Sequence, residues 1–177
     1  IVEVANGGTD TVFSRSAFSL ETLGNVERLT LTGGNAANGA GNAVANLVLG
    51  NTGANYLRGL DGADTLNNTG NEIGTLVFNG GADTDTLNSS GDAVMTLRFD
   101  GGPGSNTLIY SGVGGPESSV TFLGGSGNDV FILPNSGSAS TVDFEGGDGK
   151  DQALIAGSAS ELTLAGGEGD DTYTFVG

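Results

Sequence analysis

The chain of 177 residues contains no cysteine, no histidine and no tryptophan. The absence of cysteine and histidine excludes thiol chemistry, disulfide bridges and the usual zinc ligands. No serine stands in a G-x-S-x-G sequence, and Lys150 is the single lysine that could pair with a serine nucleophile. A paired-carboxylate mechanism is the remaining enzymatic alternative, but the repeat described below already accounts for the aspartates. We therefore expect no enzymatic activity.

Basic residues are also scarce. Five lysines and arginines stand against 21 acidic residues, which gives a net charge of −16. Nucleic acid is not an expected partner, because phosphate binding requires lysine and arginine. A charge of this size opposes compaction unless cations offset it. The apolar residues are regularly placed, which argues against a disordered acidic chain.

The sequence also lacks the long apolar segment that membrane insertion requires. No apolar run reaches 18 residues, so we expect no membrane span. No secretion signal is recognisable, and the chain begins with Ile1 rather than Met, which is typical of a mature product or an excised piece.

Glycine, by contrast, is abundant, with 34 residues, and it recurs in one phrase. The phrase is Gly-Gly, a spacer, Gly, a spacer and Asp, followed by an apolar strand. Clear copies occupy residues 124–132, 146–151 and 166–174. This is the nonapeptide pattern G-G-x-G-x-D-x-U-x, typical of parallel β-helices whose turns bind Ca²⁺. The sequence therefore predicts an all-β fold, a parallel β-roll or β-helix solenoid with Gly/Asp-rich calcium turns along one edge.

The spacing of the repeats differs between the two halves of the chain. In residues 1–70 a nine-residue period relates Gly41, Gly50 and Gly59, so that two nonapeptides make one coil. In residues 71–177 the Gly-Gly pairs begin at positions 80, 101, 124, 146 and 166, which predicts coils of about 20–23 residues with one GGxGxD-type turn each. We expect a single solenoid domain over residues 1–177, with irregular strands at its N-terminus.

Alternating apolar residues predict the strands and the core. Two residues before each Gly-Gly pair stand Phe78, Phe99, Phe122, Phe144 and Leu164. After each turn stand Leu87, Leu108, Phe131, Ala153 and Tyr173. Stacked coils should align these residues as ladders between two parallel sheets. We also assign Tyr56, Tyr110 and Tyr173 to packing.

The turns have the chemistry of a calcium site. Glycine permits positive φ and leaves room for backbone carbonyls to face inward. Ca²⁺ takes six to eight oxygen ligands, more than one turn supplies, so the turn of the next coil must complete the shell. Aspartates stacked ~4.8 Å apart repel each other unless a cation lies between them. We expect several Ca²⁺ ions in a row along the edge.

The candidate ligands fall into two groups. Those at the aspartate position of the repeat are Asp64, Asp85, Asn106, Asp129, Asp151 and Asp171. Those elsewhere in the turns are Gly124, Ser126, Asn128, Gly146, Asp148, Gly166 and Glu168. Solvated surface charge is the favoured alternative for the side chains of Asp148 and Glu168. A glycine-rich edge that folds without metal is the alternative for the whole set.

Some turns depart from the pattern. Asn46 and Asn55 stand where aspartate is expected, and we interpret them as stacked asparagines that satisfy the turn backbones. Asp10, in a shortened copy near the N-terminus, is a further candidate ligand. Asp83 replaces the third glycine of its turn and Pro103 interrupts another, and both departures weaken the prediction of metal there.

Through these turns the chain resembles the repeats-in-toxin, or hemolysin-type, calcium-binding proteins of bacteria. Residues 25–33 and 4–12 also resemble the strands that precede such repeats in large surface proteins. The resemblance covers most of the chain. It implies export in an unfolded, calcium-free state and folding outside the cell on binding Ca²⁺. The family has no single activity, so the resemblance does not supply the function.

Two open ends suggest assembly. The last coil ends in an apolar strand at residues 173–176, the first begins with one at residues 1–4, and no capping repeat is recognisable. Copies stacked head-to-tail would form a filament or surface layer at the cell surface. The alternative is an excised module of a giant secreted adhesin. Ice binding by a row of Thr75, Thr96, Thr141 and Thr163, and carbohydrate binding, are further alternatives.

Overall fold

The computed structural model describes residues 3–4, 7–70, 75–92 and 96–176. These residues form two parallel sheets stacked as a β-solenoid, and no helix occurs among them. The predicted fold class is therefore confirmed. The strand predicted at residues 1–4 lies partly outside the described residues, and Glu3 and Val4 are not in a strand.

Each coil contributes one strand to each sheet. The nine-stranded sheet consists of β1 (Thr11–Ser14), β3 (Arg28–Leu31), β5 (Leu47–Leu49), β7 (Thr65–Asn68), β9 (Thr86–Ser89), β11 (Thr107–Tyr110), β13 (Val130–Leu133), β15 (Gln152–Ile155) and β17 (Thr172–Phe175). The eight-stranded sheet consists of β2 (Phe18–Ser19), β4 (Gly39–Ala40), β6 (Tyr56–Leu60), β8 (Thr75–Gly81), β10 (Thr96–Pro103), β12 (Ser119–Ser126), β14 (Ser138–Asp148) and β16 (Ser158–Glu168).

The core lies between the two sheets, as the alternation predicts. Phe78, Phe99, Phe122 and Phe144 are fully buried and occupy one register along the eight-stranded sheet. The rings of Phe99 and Phe122 stack with centroids 5.1 Å apart, and those of Phe122 and Phe144 lie 5.5 Å apart. Because equivalent positions stack in successive coils, each coil directs the same positions inward, although the side chains there vary, as when Leu57 stacks on Phe78.

Two predictions about individual side chains are wrong. Tyr110 is buried, but Tyr56 points outward, because alternation along β6 places its neighbour Leu57 in the core. Tyr173 is also exposed, since no described coil covers the last one. The threonine row considered as an ice-binding alternative is not continuous, since Ser119 stands between Thr96 and Thr141. Thr163 pairs with Asp143 rather than continuing the row, which ends at Glu161.

Candidate metal site at the turn edge

The register of the solenoid collects one residue from each coil at a single edge. At this edge each strand of the eight-stranded sheet ends in a turn, and the following strand of the nine-stranded sheet begins. The residue that precedes β7, β9, β11, β13, β15 and β17 stands at the same position in each coil. We call this column the edge ladder; its members are Asp64, Asp85, Asn106, Asp129, Asp151 and Asp171. All but Asp171 are at most 1% exposed.

Side-chain oxygens link the edge ladder from coil to coil. The backbone N–H of Asp64 donates to Asp85 Oδ1 at 2.9 Å, and that of Asp129 donates to Asp151 Oδ1 at 2.7 Å. The remaining links repeat this geometry at 2.6–2.9 Å. Each member therefore satisfies a backbone donor in the preceding coil through one oxygen.

The second carboxylate oxygen of four ladder aspartates lacks a partner. No hydrogen-bond donor from the described chain reaches Oδ2 of Asp64, Asp85, Asp129 or Asp151, and these atoms are buried. A buried carboxylate oxygen without a partner is costly, because the charged group has lost its hydration. A proton, a cation or an ordered water would satisfy each of the four atoms.

Backbone carbonyls converge on the same points. A Cβ added at Gly124 would lie 2.5 Å from the carbonyl oxygen of Gly146 in the next coil and in closer contact with Asp129 Oδ2. A Cβ added at Gly80 would lie 2.7 Å from the carbonyl oxygen of Gly101, and one added at Gly146 would lie 2.6 Å from that of Gly166. Only glycine leaves this space open.

The donor set fits calcium at these four positions. Carboxylate and carbonyl oxygens from two successive coils are the hard ligands that Ca²⁺ prefers. Among the described residues no three acidic side chains cluster around one point, so the carbonyls must supply most of any shell. Asp64, Asp85, Asp129 and Asp151 would hold the ions, together with carbonyls such as those of Gly146 and Gly166.

Burial makes these carboxylates hard to ionise without a counter-ion. Burial raises the pKa of Asp64 and of Asp85 to about 7 and that of Asp129 to about 6. Hydrogen bonds from the backbone of the preceding coil lower these pKa values in part, and for Asp129 the nearby side-chain amide of Asn106 does so as well. The pKa of Asp151 is raised by burial and, secondarily, by the nearby Asp171. A bound cation would favour the charged form.

The predicted ligands outside the edge ladder divide into exposed side chains and buried glycines. The carbonyls of Ser126, Asp148 and Glu168 accept hydrogen bonds of 2.7–2.8 Å from glycine N–H groups of the preceding coil, and their side chains are exposed. The exposed Asn128 accepts a hydrogen bond from the backbone of Lys150. The first glycines, Gly124, Gly146 and Gly166, are buried at the edge ladder. The structure thus brings the first glycines and the ladder together, and it places the other four side chains outside.

The irregular turns keep the same backbone conformation. Asp83 adopts φ 78° and Leu60 adopts φ 86°, and the glycines at the corresponding positions also have positive φ, 126–151° and 86–117° respectively. Asp83 Oδ2 accepts a hydrogen bond from Gly62 N at 3.2 Å. Pro103 continues β10 beside Ser126. These departures therefore change the local chemistry of the turns without interrupting the ladder.

The asparagines of the first half satisfy turn backbones, as interpreted, but Asn46 and Asn55 lie on opposite edges and do not stack on each other. Asn46 Oδ1 accepts from Asn42 N and its Nδ2 donates to Val26 O. Asn55, on the opposite edge, accepts from Asn51 N and donates to Gly53 O.

The column continues beyond the edge ladder toward the N-terminus, where Asn46 N–H donates to Asp64 Oδ1 at 2.7 Å, and one of its residues escaped the sequence analysis. Glu27 Oε2 accepts a hydrogen bond from the backbone N–H of Asp10 at 2.9 Å, the same link that the ladder uses. Asp10 Oδ2 is buried and without a donor in the described structure. The signal that could have identified Glu27 is its position directly before the strand Arg28–Leu31.

No family model matches the chain, and comparisons with curated proteins and with solved structures found no match either. The described part of the chain has no helix that could cross a membrane.

Proposed function

We propose that this protein is an extracellular, calcium-stabilised structural protein without enzymatic activity, whose solenoids stack head-to-tail into a filament or surface layer. The observation that carries the proposal is the edge ladder, in which four buried carboxylate oxygens without donors face carbonyls of the next coil. A ligand that binds only the folded form stabilises it by mass action. Ions between successive coils would therefore favour the solenoid.

The chemistry of the ladder favours calcium over other cations. The ligands are all oxygen, which disfavours zinc and other metals that prefer nitrogen or sulfur. Mg²⁺ requires near-ideal octahedral geometry and keeps several waters, whereas Ca²⁺ accepts irregular shells of carbonyls. Calcium is plentiful outside cells and scarce inside them, and the resemblance to exported repeat proteins points to the same compartment.

The last coil supports stacking. Ala153 and Ile155 are buried, whereas Tyr173 and Phe175, which occupy the same registers one coil later, are 39% and 62% exposed. The strands β16 and β17 also have unpaired outer edges in the described structure. A further coil would bury these side chains, pair both strands and supply a carbonyl to Asp171. We propose that a second copy of the chain supplies it.

The second candidate is a module of a giant secreted adhesin. The same exposed surface favours it, because a following coil of a longer polypeptide would cover Tyr173 and Phe175 equally well. The calcium chemistry is common to both candidates, and only the origin of the covering coil differs.

Electron microscopy of the native polypeptide, with millimolar Ca²⁺ and with excess chelator, tests the proposal. We expect filaments or sheets in Ca²⁺ that disassemble in chelator. Calcium-dependent particles that never assemble would favour the adhesin module, and mass spectrometry of the native polypeptide would then identify a longer chain. A protein whose fold is indifferent to chelator would contradict the proposal.

A further inference from the structure

We propose that Asn106, alone among the buried members of the edge ladder, prevents its turn from binding a metal ion. Its side-chain amide occupies the place that a cation would take in the neighbouring turns. It thereby divides the row of ions into one group at Asp64 and Asp85 and another at Asp129 and Asp151. This inference rests on the proposed calcium function and deepens it, since it states which turns are metal sites. It replaces the expectation from the sequence that Asn106 is a calcium ligand.

The hydrogen bonds of Asn106 fix the orientation of its amide. Oδ1 accepts from the backbone N–H of Asp85 at 2.9 Å, the ladder link that an aspartate makes elsewhere. Nδ2 therefore faces the turn interior. A flipped amide would place Nδ2 against the N–H of Asp85, two donors facing each other.

The amide nitrogen binds the carbonyls that a cation would need. Nδ2 lies 3.1 Å from Gly102 O and 3.3 Å from Gly104 O in its own turn, and 3.2 Å from Gly124 O in the next coil. Gly124 is the first glycine of its turn, as Gly146 is for the turn above Asp129. The two hydrogens of this NH₂ group are thus shared among three carbonyl oxygens, and Gly124 O corresponds to the Gly146 carbonyl that lies close to Asp129 Oδ2 in the next turn.

Asp129, in the next coil, provides a direct comparison with Asn106. Asp129 and Asn106 make the same ladder link and are both fully buried, but only the aspartate has an oxygen without a donor. A cation at Asn106 would have to displace an amide that already has its partners, and it would gain no charged ligand. The turn therefore needs no ion to be satisfied.

Exchanging the two residue types tests the inference. We expect Asn106→Asp to bind one calcium ion more per chain than the wild type after equilibrium dialysis and metal analysis. Asn135→Asp is the matched control, because Asn135 is exposed in the loop between β13 and β14 at the opposite edge. This control adds the same charge and should leave the number of bound ions unchanged.

The reciprocal variant is Asp129→Asn. Its amide should bind the carbonyls of its own turn and that of Gly146, so the variant should bind one ion fewer and should unfold at a higher temperature than the wild type in calcium-free buffer. If Asn106→Asp fails to fold, this variant decides alone. An unchanged ion count with a lower unfolding temperature in calcium-free buffer would overturn the inference.

The outcomes separate the inference from the proposed function. A wild type that binds no calcium contradicts the function itself. A wild type that binds calcium, combined with an Asn106→Asp variant that folds but binds no additional ion, overturns only the assignment of Asn106.

Discussion

Asp151 Oδ1 accepts a hydrogen bond of 2.7 Å from the backbone N–H of Asp129, which stands in the preceding coil. The other oxygen of Asp151, Oδ2, is buried and faces the turn interior without a donor in the described structure. One carboxylate thus joins two coils through a hydrogen bond and retains a free oxygen for a cation.

Removing one ladder carboxylate should weaken calcium binding. We expect Asp129→Ala to lose the stabilisation that calcium gives at its site, about 2.7 kcal/mol when calcium is 100-fold above the dissociation constant. Urea unfolding with saturating calcium and in calcium-free buffer, followed by circular dichroism, measures the loss as the difference between the two conditions, because the substitution also removes the hydrogen bond from Asn106 N–H. Glu117→Ala is the control, because Glu117 is exposed in the loop before β12. Equal effects of the two substitutions would refute the site assignment.

The calcium-free protein should become less stable as pH rises. Asp64, Asp85 and Asp129 have pKa values of about 7, 7 and 6 in the folded chain, raised mainly by burial from 3.8. A raised carboxyl pKa means that the folded state binds the proton more tightly than the unfolded state does. The stabilisation is therefore complete below about pH 4 and is lost as pH rises to about 7.

Thermal unfolding at pH 5 and pH 8 measures this dependence. In calcium-free buffer the unfolding temperature should be lower at pH 8. Saturating calcium should raise it more at pH 8 than at pH 5, because the ion binds the deprotonated carboxylate. A calcium-free protein that is more stable at pH 8 would contradict the burial of uncompensated carboxylates.

The stacked side chains of Phe78, Phe99, Phe122 and Phe144 should contribute strongly to the stability of the second half. Phe122 is fully buried between Phe99 and Phe144. We expect Phe122→Ala to cost about 3–5 kcal/mol, since it leaves a cavity in a stacked core. Phe13→Ala, at a side chain that is 70% exposed, is the control and should cost far less. Denaturant unfolding in calcium measures both, and similar costs would contradict the packing described here.

Self-association should depend on the exposed face of the last coil. Phe175→Lys places a charge on the surface that a further coil would cover, so it should reduce assembly in calcium. Val113→Lys is the matched control, because Val113 is 52% exposed in the loop between β11 and β12 and lies away from the end coils. Sedimentation velocity at several protein concentrations distinguishes the two. Equal assembly of both variants would argue against stacking through this face.

The repeat predicts the fold because each coil has its turn and its inward-facing residues at the same positions. The Gly-Gly spacing and the alternation before it predict the register of Phe99, Phe122 and Phe144 directly. The assignment of Tyr56 to packing is wrong because a position in a strand does not by itself decide the face, and alternation along β6 directs Leu57 inward instead.

The details of the edge ladder are less accessible from the sequence. Asn106 and Asp129 occupy the same position of the repeat and differ by one atom of the side chain, yet only the positions of the surrounding carbonyls show that an amide satisfies them. Glu27 was missed because its longer side chain does not match the aspartate of the repeat, although it makes the same link to the preceding coil.

Anomalous X-ray diffraction from crystals grown in calcium tests the central claim most directly. We predict anomalous density beside Asp64, Asp85, Asp129 and Asp151, between each Oδ2 and the glycine carbonyl of the next coil, and none at Asn106. Crystals of the folded solenoid in saturating calcium that show no density at any of the four aspartates would contradict the account.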